Sequence, residues 1–185
     1  MSKNLSSKSG IFCVDENGYL LSFEPHSKNR TCYRDAACLR HLCIPEGVVS
    51  IGRGHNNSRT EECLQNWIVM GDVTLPSSLR RIGEMALAYG AYHSLSIPTT
   101  VTRISNAALI GCYIGTLKVE INTVSDQPTW DDQDWLNPGP LRYGGRILKE
   151  AMIDYLYVKK VFPYRWIFRE ASIEHVRFLD AEETL

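Results

Sequence analysis

The stretch from Val73 to Val119 writes one pattern twice, and it constrains the fold more than any other part of the chain. Val73-Thr74-Leu75-Pro76 leads to Leu79, Ile82, Gly83, Ala86 and Leu87. Leu95-Ser96-Ile97-Pro98 leads, 22 residues later, to Val101, Ile104, Ser105, Ala108 and Leu109, and Leu117-Lys118-Val119 begins a third copy. Each copy opens with alternating apolar residues, the period of a short strand with one buried face. Proline follows at once and, having no N–H for a ladder, ends the strand. The spacing then changes to steps of three and four (Val101, Ile104, Ala108), which predicts a short helical or 3-10 turn.

One copy cannot stand alone, because its few apolar side chains do not offset the entropy of ordering its backbone. Strands must therefore hydrogen-bond from copy to copy while the apolar rows stack. The expected architecture is a repeat solenoid, mostly β with short helical or 3-10 turns. A looser template adds copies at the flanks. Ile147 and Ala151, Ile167 and Ala171, and Tyr33 and Ala37 keep the four-residue step of Ile104 and Ala108. They are followed by the strand pairs Leu156/Val158, Val176/Phe178 and Leu42/Ile44.

The run from Leu95 to Leu109 reads L-x-I-P-x-x-V-x-x-I-x-x-x-A-L and is followed by Gly111-Cys112. It resembles the BspA-like branch of bacterial leucine-rich repeat proteins, closely in the two central copies and in outline at the flanks. The resemblance implies a right-handed leucine-rich-repeat stack, here of about six or seven coils. It also implies a protein-binding role at the cell surface or in a secreted protein.

The same reading divides the chain. Residues 1–10 form a flexible tail and residues 11–185 a single domain. Within it, 11–30 is a capping hairpin turned on Asp15-Glu16-Asn17-Gly18, and 31–121 holds the central repeats. Residues 122–146 are an insertion, and 147–185 are C-terminal repeats and a cap. The insertion contains Gln127 to Pro140, whose three prolines, glycine and acidic run exclude a regular element. Its Trp130 and Trp135 either fold back as a clasp or stand out as interface anchors.

Composition narrows the function. A net charge of −1 gives no basic excess for nucleic acid. No stretch approaches the ~18 apolar residues of a membrane span. The polar first ten residues lack the apolar run of a signal peptide, so the expected location is the cytoplasm. Six cysteines are even in number, as in a disulfide framework. In a reducing compartment, packed free thiols are the better reading.

Catalytic chemistry finds no scaffold. G-x-S-x-G, C-x-x-C, H-E-x-x-H and G-x-G-x-x-G are all missing, and the five histidines are scattered. Asp131, Asp132 and Asp134 loosely suggest calcium but lack the glycine and distal glutamate of an EF-hand loop. The expectation is no enzyme, no cofactor and no metal. What remains is the face the strands display. It comprises His41, Cys43, Asp72, Thr74, Ser94, Ser96, Lys118, Glu120, Tyr155, Tyr157, His175 and Arg177, with Trp130 and Trp135 beside it. The leading function is non-enzymatic protein recognition through that face or through the Trp-bearing insertion. The alternative is a structural or self-associating scaffold, such as a homo-oligomer, with no dedicated ligand.

Overall fold

A computed structural model describes residues 2–33, 36–52, 64–105, 107–121, 142–143, 147–160, 162, 165 and 168–179. The chain opens with β1 (Lys3–Ser6), β2 (Gly10–Val14) and β3 (Leu20–Pro25), an antiparallel sheet in that order. The β2–β3 turn is set by Asp15, whose Oδ1 accepts the N–H groups of Asn17 at 2.8 Å and Tyr19 at 2.9 Å. Gly18 supplies the positive φ of +82° that a side chain would oppose. Phe12 stacks on Phe23 with ring centroids 4.4 Å apart. The expected tail is corrected here: Lys3 to Ser6 pair with Val14 to Ile11, and Leu5 packs against the core.

After a single 3-10 turn at Ser27–Asn29 come β4 (Arg30–Tyr33), β5 (Ala36–Leu39), β6 (Leu42–Cys43) and β7 (Ser50–Ile51). They are followed by β8 (Ile68–Thr74), β9 (Arg81–Ile82), β10 (Ala91–Ile97) and β11 (Arg103–Ile104). The last are β12 (Tyr113–Val119), β13 (Arg142–Tyr143), β14 (Met152–Val158) and β15 (Ser172–Phe178). The main sheet has eight strands in the order β15-β14-β12-β10-β8-β5-β4, with β6 also pairing with β8. Its strands from β8 to β15 run parallel, whereas β4 and β5 are antiparallel. A second parallel sheet of two-residue strands follows the order β13-β11-β9-β7. Buried side chains from all three sheets join one hydrophobic cluster.

This layout corrects the expected leucine-rich-repeat solenoid of six or seven right-handed coils. The described residues form three sheets of mixed parallel and antiparallel pairing, and the steps of three and four do not make helical turns. A helix would send the N–H of Ser105 to a carbonyl four residues back. It goes instead to Ile82 O at 2.9 Å, and the N–H groups of Thr102 and Arg103 go to Arg80 O. Beyond each short strand the chain turns through a positive φ, 53° at Met85 and 54° at Ala107, which stops a helix from propagating. Ile82 and Ile104 thus share a face because they are sheet partners.

Two further boundaries move. Arg142 and Tyr143, expected inside the insertion, pair with Arg103 and Ile104 as β13. The residue across from Ile104 is therefore Tyr143, not Ile147, whose carbonyl instead accepts the Leu109 N–H. At the far edge Phe178, expected to point inward, is 42% exposed because β15 ends the sheet order.

Candidate functional site on the open face of the main sheet

One face of the main sheet covers the core. Its inward residues are Tyr92, Leu95 and Ile97 in β10, then Ile114, Leu117 and Val119 in β12, then Ile153, Leu156 and Val158 in β14, all buried. The first step in each strand is three residues, not two. Two consecutive residues per strand therefore fall on the open face: His93/Ser94, Gly115/Thr116 and Asp154/Tyr155. In β8 the break is wider, and the register shifts between Tyr92 and Ser94 where Met70 and Gly71 are accommodated.

A groove of about 620 Å³ lies across this row of breaks. Its lining comes from Ile68 and Met70 of β8, Ala91 and His93 of β10, Tyr113, Gly115 and Thr116 of β12, and Asp154 and Tyr155 of β14. Gly115 forms its floor. A Cβ there would lie 2.8 Å from the His93 carbonyl oxygen, so only glycine fits where the strands draw together. Tyr113 is in register with Met152, and its hydroxyl reaches diagonally across to donate to Asp154 Oδ2 at 2.5 Å. That bond holds the Tyr113 phenol above its ordinary pKa, with desolvation and the charges of Asp154 and Glu174 adding to it. Met70, Tyr113 and Tyr155 are 53%, 44% and 41% exposed, so the rim is apolar and accessible.

The residues expected on the displayed face separate into three groups. Asp72, Ser94, Tyr155 and His175 lie in one continuous row of register partners, which Thr116, not among the expected residues, completes between Ser94 and Tyr155; Tyr155 stacks on His175 with ring centroids 4.9 Å apart. Ser96, Lys118, Tyr157 and Arg177 form the row above, where Lys118 pairs with Glu120 at 2.5 Å. Thr74 is exposed at the end of β8, beside Cys43. His41 and Cys43 are half-buried. The Ser7 hydroxyl donates to the Cys43 carbonyl, and Asn29 Nδ2 donates to the His41 carbonyl. Trp130, Trp135 and the three aspartates near them lie outside the described residues.

Alternation alone does not pick out most of the residues that make the groove: Ile68, Met70, His93, Tyr113, Gly115, Thr116 and Asp154. Extending the alternation backward from Leu95 by twos turns His93 inward and hides the break. The available signal is a recurring three-residue step, Tyr92 to Leu95, Ile114 to Leu117, Ile153 to Leu156 and Ile173 to Val176.

Beneath the sheet the chemistry is structural. The Leu87 carbonyl accepts both the Tyr92 hydroxyl at 2.8 Å and the Cys112 thiol at 3.0 Å. Burial raises the Cys112 pKa to about 12. Cys13, Cys38, Cys43 and Cys112 are free thiols.

No protein-family model matches the chain, and neither a curated protein nor a solved structure matches it. Among the described residues no helix is long and apolar enough to cross a membrane. No group of three or more His, Cys, Asp or Glu among them is placed to hold a metal ion.

Proposed function

We propose that this chain is a non-enzymatic protein-recognition module that binds through the open face of its main sheet. The observation that carries this reading is the groove over β8, β10, β12 and β14. There, exposed Met70, Tyr113 and Tyr155 surround the polar groups of His93, Thr116 and Asp154. Large apolar side chains around a few convergent polar groups are the composition of an interface centre, where tyrosine is enriched. A rigid sheet also presents them with little ordering to be done on binding.

The test is a pull-down from the source cell's lysate with the parent and with the double variant Tyr113→Ser, Tyr155→Ser. Both side chains are about half exposed, so the double variant stays folded, and circular dichroism checks this before the two are compared. Proteins held by the parent and lost by the variant support the reading; the same proteins held by both reject it.

A second reading, a self-associating scaffold, is supported by β15, which among the described residues ends the order of the main sheet. An open strand edge is a template for pairing with another chain. Sedimentation at two concentrations separates the readings, because a scaffold associates with itself.

A further inference from the structure

We infer that the groove takes a peptide segment whose arginine or lysine side chain lands on Asp154, with an apolar residue of the same segment on Ile68 and Met70. This rests on the open face being a recognition surface and names what it recognises. Three observations lead to it.

The first is charge. Among the groove's lining residues Asp154 is the one carboxylate, and none is lysine or arginine. Asp154 Oδ2 is held by the Tyr113 hydroxyl, while Oδ1 accepts no hydrogen bond from the described residues. The carboxylate is thus aimed and half-satisfied, the arrangement in which a cationic donor gains a charge-assisted bond.

The second is the surroundings of that carboxylate. The rings of Tyr113 and Tyr155 both line the groove with Asp154, Tyr155 keeping one face toward it while the other stacks on His175. Aromatic faces attract a guanidinium or ammonium. A bare metal ion is poorly served, since hard cations require six or more oxygen ligands.

The third is length. Ile68 and Met70 lie on β8 and Asp154 on β14, three strand spacings away. That is on the order of 14 Å, about four extended residues. A single free amino acid does not span it, whereas a short peptide places its basic head at one end and an apolar side chain at the other.

The experiment is selection of a random heptapeptide phage library on the intact protein, with enriched peptides then synthesised and titrated. Enriched peptides should carry an arginine or lysine with an apolar residue within about four positions. Their affinity should fall about tenfold or more for Asp154→Asn, which keeps shape and removes charge. Thr116→Arg, which places a guanidinium in the groove, should weaken them as much, while Lys28→Gln, in the 3-10 turn before β4 and outside the groove lining, should not. Peptides that need Tyr113 and Tyr155 but lack a basic residue, or ignore Asp154→Asn, overturn the cation assignment and leave face recognition standing. Enrichment only of peptides indifferent to Tyr113→Ser, Tyr155→Ser, or no enrichment, overturns both.

Discussion

Ile82 and Ile104 lie side by side as register partners in β9 and β11, 0% and 2% exposed. Twenty-two residues separate them in sequence, and neighbouring backbone bonds between their segments fix the pairing. Ile104→Asp would bury a carboxylate with no partner and should cost several kcal/mol, a large part of the roughly 5–15 kcal/mol that holds a domain folded. Ile104→Val removes one methyl and should cost about 1 kcal/mol. Urea melts followed by circular dichroism check both. An aspartate variant that melts like the parent would mean that this register is wrong.

Cys112 should alkylate far more slowly than Cys13 and Cys43. Its pKa, raised from 9.0 to about 12, makes the reactive thiolate about a thousandfold scarcer near neutral pH. It is also 1% exposed, whereas Cys13 and Cys43 are half-buried. Iodoacetamide labelling at pH 8, read by peptide mass spectrometry, should modify Cys13 and Cys43 first and Cys112 only after denaturant is added. Equal rates would show that the turn from Leu109 to Cys112 opens freely.

The repeated strands were legible because their apolar residues obey simple periods. Leu95 with Ile97 and Leu117 with Val119 alternate with polar residues, and they are buried partners. The turns were misread because steps of three and four residues do not say where backbone hydrogen bonds go. At Ile104 they go to the neighbouring segment, and a positive φ at Ala107 follows. The second sheet was hidden for the same reason: two-residue strands carry too little pattern to reveal a period. Of the face, the upper rows could be read from alternation. The groove could not, since it exists only where all the strands break alternation at the same level, and its floor is a glycine.

Tyr113 should mark the alkaline side of the stability profile. Its phenol is raised above the ordinary value of 10.0, chiefly by donating to Asp154. A group raised on folding stabilises fully below its unfolded pKa, and that contribution disappears as pH rises through the folded value. Tyr113→Phe should therefore be less stable than the parent at pH 8. The gap should close as pH rises beyond 10, when the phenolate can no longer donate. Denaturant midpoints at pH 8, 9.5 and 11 measure it, and a gap that widens with pH would contradict the hydrogen bond.

Glu46 should do the opposite on the acid side. It stands in the turn after β6, and its carboxylate accepts the N–H of Ser77 at 2.7 Å and of Ser78 at 2.9 Å from the following segment. The Ser77 N–H is the largest influence holding its pKa below 4.5; desolvation opposes it, and the Ser78 N–H assists. Such a group contributes above its unfolded pKa, and the contribution is lost as pH falls through the lowered value. Glu46→Gln keeps the size but leaves one carbonyl oxygen where two carboxylate oxygens had been. Its melting temperature should trail the parent at pH 7 and converge with it between pH 4.5 and the lower acid range. The Ser78 hydroxyl donates to Val48 O at 2.8 Å and accepts the Gly47 N–H at 2.9 Å, so the two turns stay joined in the variant. The loss should accordingly be modest and confined to the charged form of Glu46. A difference that persists unchanged through pH 3 would assign it to packing instead of the carboxylate.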